Sequence, residues 1–167
     1  NLSNSRSLGI IGNNGSGKTT FVELLTDMLE PSSGKIHIEV SNKKPFAGVL
    51  NQFPERMLGH NTLEKLLQKL IDNNKFDHRL INSFKKKLKS HQINWNKIKN
   101  KRSLDLSWSA VRMTLVIMLS LSNFNLIVLD EPTFGLGFQQ KIKLSKILRS
   151  MLLNKHLILV SHDTDFI

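Results

Sequence analysis

Two periods of apolar spacing alternate along this chain. SLGIIG, from Ser7, is a short apolar run ending in glycine. After the stretch GNNGSGKTT, the apolar positions Phe21, Val22, Leu24, Leu25, Met28 and Leu29 follow helical spacing. The predicted order is strand, glycine loop, helix. PSSG at Pro31–Gly34 reads as a turn, and KIHIEV at Lys35–Val40 alternates as a half-buried strand does. PFAGVLNQ at Pro45–Gln52 predicts another short strand that ends in polar residues. From Pro54 to Asp105 the character changes. LEKLLQKLI is an amphipathic helix followed by a lysine-rich segment with few strand signals, so this stretch is expected to form an inserted helical lobe. LSWSAVRM then opens a helix with Ser107 as its cap, because a serine hydroxyl accepts from an early backbone N–H left unpaired at a helix end. NLIVLDE, Asn125–Glu131, and HLILVSH are continuous apolar strands of the buried parallel type, with a helix around Gln139–Leu152 between them. Strands alternating with helices predict an α/β fold with a mostly parallel sheet flanked by helices.

Composition narrows the class. At 167 residues, with 40% hydrophobic and 22% charged side chains, the chain has the make-up of one soluble globular unit. The longest apolar run, Val111–Leu121, is interrupted by Arg112, Thr114 and Ser120, so the sequence predicts no membrane span. Without cysteine there is neither a disulfide nor a thiolate metal site, and no signal-peptide pattern opens the sequence; a cytosolic location is the expectation. The formal charge of +11 raises nucleic acid or an anionic membrane surface as a partner, against the alternative of scattered lysines in a Lys- and Asn-rich composition.

The glycine loop carries the clearest chemistry. Gly12–Thr19, GNNGSGKT, satisfies G-x-x-x-x-G-K-[ST] between a strand and a helix, the setting in which that pattern cradles phosphate. An incidental glycine turn with a stray lysine would not need those flanks. Gly15 and Gly17 let backbone N–H groups turn around phosphate oxygens, and the helix N-terminus adds partial positive charge. Lys18 reaches the terminal phosphates. Thr19 is expected to place its hydroxyl on Mg²⁺, and the loop as a whole, Asn13, Asn14, Gly15, Ser16, Gly17, Lys18, Thr19 and Thr20, to bind the nucleotide. At the carboxyl end of LIVLDE, where open α/β sheets bind ligands, Asp130 is expected to hold Mg²⁺ directly or through water and Glu131 to orient or deprotonate the attacking water. Gln52, ending an earlier strand, is expected to reach the same metal or water, and His162 the terminal phosphate.

Taken in order, these segments resemble the nucleotide-binding domain of ATP-binding cassette (ABC) proteins over nearly the whole chain. GNNGSGKTT matches the Walker A motif, Gln52 the Q-loop, LIVLDEPT the Walker B motif and VSHD the switch histidine. LSWSA stands where the family has Leu-Ser-Gly-Gly-Gln. QFPERMLG is similar in style to the ATPases of energy-coupling-factor importers. The resemblance implies a P-loop NTPase core, 1–53 and 106–167, with a helical subdomain at 54–105. It also implies ATP and Mg²⁺ as ligands, ATP hydrolysis, a head-to-tail partner ATPase, a separate membrane transport subunit, and a place on the inner face of the cell membrane. The family's early strands and adenine-stacking aromatic would precede Asn1, and the chain stops soon after the switch histidine, so a piece trimmed at both ends is expected.

Two departures from the family pattern stand out. Trp108, Ser109 and Ala110 replace Gly, Gly and Gln after Leu106 and Ser107, and Gly137 stands where the family's D-loop has aspartate. Both fall on the surface that the family offers to its partner's ATP, where Ser107 would still contact nucleotide. Glycines there let phosphate approach the backbone closely, and an indole must swing aside or fill that space. The resemblance then implies an asymmetric heterodimer with one weakened site, unless Trp108 is simply a packed core residue. Two other classes compete. One is a nucleic-acid- or ribosome-associated ABC ATPase, in which the lysine-rich lobe grips phosphates and Phe76, Phe84 and Trp95 are the aromatics available for base stacking. The other is a regulatory nucleotide-binding subunit without turnover.

Overall fold

The computed structural model describes residues 6–13, 15–40, 44–163 and 166, without the side chain of Met57. The chain divides into two compact units, a sheet unit of Asn1–Gln52, Phe124–Phe134 and Arg149–Ile167 and a helical unit of Phe53–Asn123 and Gly135–Leu148. The segment 106–123, expected with the sheet, clusters with the helical unit.

Among the described residues the sheet unit has four parallel strands, β1 (Ser7–Ile11), β2 (Ala47–Leu50), β3 (Leu126–Asp130) and β4 (His156–Ser161), in the order β1-β4-β3-β2. Helix α1 (Lys18–Leu25) follows the loop after β1. One face of the sheet buries Leu126, Val128, Ile158 and Val160 with Val22 of α1 and Val40, and Leu8, Ile10 and Val49 pack against them. The alternate residues Ile127, Leu129 and Leu157 are also buried. Burial on both faces is why β3 and β4 read as unbroken apolar runs rather than alternating ones.

Two expectations need correction here. Lys35–Val40 forms no strand: only Val40 makes a bridge, while Ile36 and His37 are exposed. Ile38 and Val40 do turn to the core, so the alternation records a buried edge, but a strand also needs a backbone ladder partner along its length. Helix α1 ends at Leu25 rather than running on to Leu29, because Asp27 takes a left-handed conformation (φ 56°), leaving Met28 and Leu29 exposed.

The helical unit comprises α2 (Pro54–Leu58), α3 (Leu63–Asp72), α4 (Ile81–Ser90), α5 (Trp95–Ile98), α6 (Trp108–Leu121) and the part of α7 (Phe138–Met151) up to Leu148. Proline sits in the first turn of α2, where its missing N–H costs nothing, and Thr62 caps α3 by accepting from the N–H of Lys65. Ser107 caps α6 as predicted, accepting from the N–H of Ala110 at 3.3 Å. Helix α6 packs on α2 and α4 and is buried without a break from Val111 to Leu119, which explains a hydrophobic run with no polar face. Phe84 is fully buried between Phe76 and Trp95, meeting both edge to face at ring-centroid distances of 6.0 and 5.1 Å. The three aromatics proposed for base stacking are therefore core residues. No helix among the described residues is long and apolar enough to cross a membrane.

Candidate functional site

The phosphate loop is built as its glycines demand. Gly15 and Gly17 adopt φ of 81° and 85°, conformations that an L side chain rarely takes, and Gly17 serves as the left-handed cap of α1. The N–H of Ser16 donates to the carbonyl of Asn13 at 3.2 Å. Lys18 turns its ammonium onto the loop itself, donating to the carbonyls of Gly12 at 2.7 Å and Asn13 at 2.9 Å. Gly12 has no positive φ, and a Cβ there would come within 2.7 Å of Ser16 Oγ, the end of an exposed side chain that can rotate away. Asn14 lies outside the described residues.

At the end of β3 the two acids diverge. Asp130 is buried and accepts through Oδ2 from the hydroxyl of Thr19 at 3.0 Å, so the first turn of α1 and the tip of β3 meet where a cation beside phosphate would sit. The register pairs Asp130 with Val160, which leaves Glu131 beside the end of β4. Glu131 takes a left-handed backbone conformation (φ 47°), uncommon for a residue with a side chain, and its N–H donates to the carbonyl of Val160. Its side chain is 4% exposed. Oε1 accepts from the His162 N–H at 3.0 Å and lies 2.8 Å from His162 Nδ1, and Oε2 accepts from Ser161 Oγ at 3.0 Å. Ser161 is the residue that sequence reading passed over. Its only signal was a place inside VSHD, whereas its part in the site depends on the register of β3 against β4.

A cavity of about 310 Å³ is lined by Gly15, Gly17, Lys18, Thr19, Thr20, Gln52, Asp130 and Glu131. Eight of the expected residues thus surround one space, with His162 joined to it through Glu131. Asn13 and Ser16 shape the loop without lining the cavity. Among the described residues no three His, Cys, Asp or Glu gather as a metal cage. The oxygen donors present, the Thr19 hydroxyl, the Asp130 carboxylate and Gln52, suit Mg²⁺, a hard ion that uses one or two carboxylates and shares its remaining positions between water and phosphate.

Ser107 belongs to the helical unit, where it caps α6. The neighbouring Trp108 is 48% exposed, so it is not a core residue; its ring lies on the backbone of Gly135, where an added Cβ would come within 3.3 Å of Trp108 Cε3. Gly137 donates its N–H to Gln140 Oε1 at 3.0 Å at the start of α7. Leu104 and Phe138, also in the helical unit, are 55% and 76% exposed.

Comparison with known proteins agrees with this geometry. The chain is 28% identical over 180 residues to an energy-coupling factor transporter ATP-binding protein, EcfA2, of Staphylococcus epidermidis; the match takes in 98% of this chain and 62% of that protein. Among solved structures it is similar to cbiO1 from Clostridium perfringens, part of the ABC transporter complex cbiONQ, with a TM-score of 0.71, 25% identity, and coverage of 96% of this chain and 68% of that one. It is similar to the same degree to a chain in a model of ribosome-bound archaeal Pelota and ABCE1, with a TM-score of 0.72, 26% identity, and coverage of 96% of this chain and 26% of that one. The chain spans about three fifths of the length of the curated relative, and the family model described as ABC transporter matches residues 1–134. With that model matching most of its length, the chain belongs to the ABC transporter family.

Proposed function

We propose that this chain is the ATP-hydrolysing part of an energy-coupling-factor type importer, working as one half of an asymmetric pair of ATPases. The observation that carries the reading is the cavity that gathers Lys18, Thr19, Gln52, Asp130 and Glu131 at one sheet edge. On ATP arrival Lys18 exchanges its two loop carbonyls for terminal phosphate oxygens, while loop N–H groups take the others. Thr19, Asp130 and Gln52 would hold Mg²⁺, which would supply charge neutralisation at the transferred phosphate. Glu131 accepts a proton from the attacking water, whose oxygen forms the new bond to the γ-phosphorus as the bond to ADP breaks. The His162 ring, which lies 2.8 Å from that carboxylate in the nucleotide-free chain, turns to meet the γ-phosphate. Catalysis of this kind is mostly positioning and charge stabilisation.

The asymmetric pairing rests on Trp108. An indole lying on Gly135 occupies the turn where the family presents glycines, so this chain completes a weak site for its partner, while its own site is completed by the partner's intact signature. The membrane subunit is a separate protein, and the chain works on the inner face of the membrane. Mg-ATP binding by wild type and Lys18→Ala, followed by hydrolysis with and without a candidate partner ATPase, tests the reading. Turnover in the pair, abolished by Glu131→Gln and raised by Trp108→Gly with Ala110→Gln, supports it. Binding without turnover in any pairing makes the chain a regulatory subunit instead.

A second reading is a ribosome- or nucleic-acid-associated ATPase. Lys65, Lys85, Lys86, Lys89, Lys97 and Lys101 are all exposed in the helical unit, and the likeness to the ribosome-bound protein favours it. Burial takes Phe76, Phe84 and Trp95 out of reach of bases, so phosphate contacts by these lysines carry this reading. Such binding falls steeply with salt, and its absence at low salt disposes of this reading.

A further inference from the structure

We infer that Ser161 is a positioning residue for ATP hydrolysis, fixing the Glu131 carboxylate by a buried hydrogen bond from the end of the neighbouring strand. The inference rests on the reading of Glu131 as the group that accepts the water's proton. Glu131 stands at a left-handed turn directly after β3, a backbone state that persists only when its surroundings over-determine it. At the end of β4 the Val160 carbonyl accepts from the Glu131 N–H, and three groups meet the carboxylate: the Ser161 hydroxyl, the His162 N–H and the His162 ring.

The three differ in kind. The His162 side chain is 52% exposed, whereas Ser161 is fully buried. Ser161 Oγ has one proton to give, and the geometry settles where it goes. The same oxygen accepts from the N–H of Asp163 at 3.0 Å, so its hydrogen points to Glu131 Oε2, 3.0 Å away. The hydroxyl therefore ties Glu131 to the turn that carries His162. When the histidine ring swings towards phosphate, its contact with Oε1 is broken, but Ser161 still holds Oε2. The carboxylate then keeps its orientation through the step in which water must find it within hydrogen-bond reach. No apolar or oppositely disposed residue does this: alanine loses the donor, while threonine keeps it on a β-branched side chain suited to a strand.

The test compares wild type, Ser161→Ala, Ser161→Thr and Glu131→Gln, each in the full chain reconstituted with its partner ATPase, by kcat and KM for Mg-ATP. Ser161→Ala is expected to lower kcat about 10- to 100-fold with KM within about 2-fold, and Ser161→Thr to recover most of it. A wild-type kcat in Ser161→Ala alongside an inactive Glu131→Gln overturns this inference alone; a wild-type kcat in Glu131→Gln overturns the reading of Glu131 and this inference with it. A loss in Ser161→Ala that appears only in KM overturns it too. If Ser161→Ala does not fold, Ser161→Cys, a weaker donor of similar size, takes its place and is expected to fall between alanine and wild type. A second readout needs no turnover. In the nucleotide-free chain, the Tm loss caused by Ser161→Ala should shrink when Glu131→Ala is already present, and strict additivity would sink the proposal.

Discussion

The indole of Trp108 lies on the backbone of Gly135, so close that a methyl group at Gly135 would meet Cε3 at 3.3 Å. Neither residue is explained alone. Gly135 has a φ of 73°, which a side chain disfavours, and the ring above it removes the space for one. Gly135→Ala should therefore destabilise the chain by about 1–2 kcal/mol from the backbone term, with a further loss from the ring contact. In a Trp108→Gly background the second part should vanish and the first remain. Urea unfolding of the four variants measures the coupling, and additive losses would show that the ring does not constrain Gly135.

Lys18 spends its three N–H bonds mainly on the carbonyls of Gly12 and Asn13, so its ammonium is already poised over the loop. Lys18→Ala should leave the fold intact and weaken Mg-ATP binding by about 100-fold, the scale of losing charge-assisted hydrogen bonds. Isothermal titration checks it. Binding within a factor of three of wild type would remove this lysine from the phosphate site.

The helical unit should be sensitive at Phe84. Its ring is fully buried and makes edge-to-face contacts with Phe76 and Trp95, so Phe84→Ala should cost about 3–5 kcal/mol. Urea unfolding measures the loss, and near-ultraviolet circular dichroism in a Trp108→Phe background follows the surroundings of Trp95. A change below about 1 kcal/mol would mean that the cluster collapses to fill the space.

His91 gives stability a pH dependence. Burial, helped by the positive charges of Lys143 and Lys87, holds its imidazole below the ordinary value of 6.5, and its Nδ1 is buried without a hydrogen-bond partner among the described residues. The unfolded chain therefore takes up the proton first. This contribution is whole above pH 6.5, falls as pH drops through 6.5, and levels off once the folded imidazole is protonated too. His91→Asn should flatten that part of the stability profile measured by urea unfolding between about pH 7.5 and 5. An unchanged slope would assign it to another group.

Much of this protein was legible in its order of residues. A phosphate loop must have glycines where the backbone turns left-handed and a strand and helix on either side, so GNNGSGKT could be read without coordinates. Strands β3 and β4 were visible because burial on both faces leaves them no polar positions between their ends, and the α6 start because a cap is a local hydrogen bond to a residue three places on. What depends on partners distant in sequence was not legible. Lys35–Val40 alternates like a strand and lacks the ladder that would make it one. Phe76, Phe84 and Trp95 offered themselves for stacking until packing buried them in one another, and 106–123 joined the helical unit because α6 finds α2 and α4. Ser161 gained its meaning only from the register of β4 against β3, and Trp108 only from the glycine beneath it. Local rules fix loops and caps; which side chains meet across strands and helices is decided by burial of the whole, and only the tertiary structure carries it.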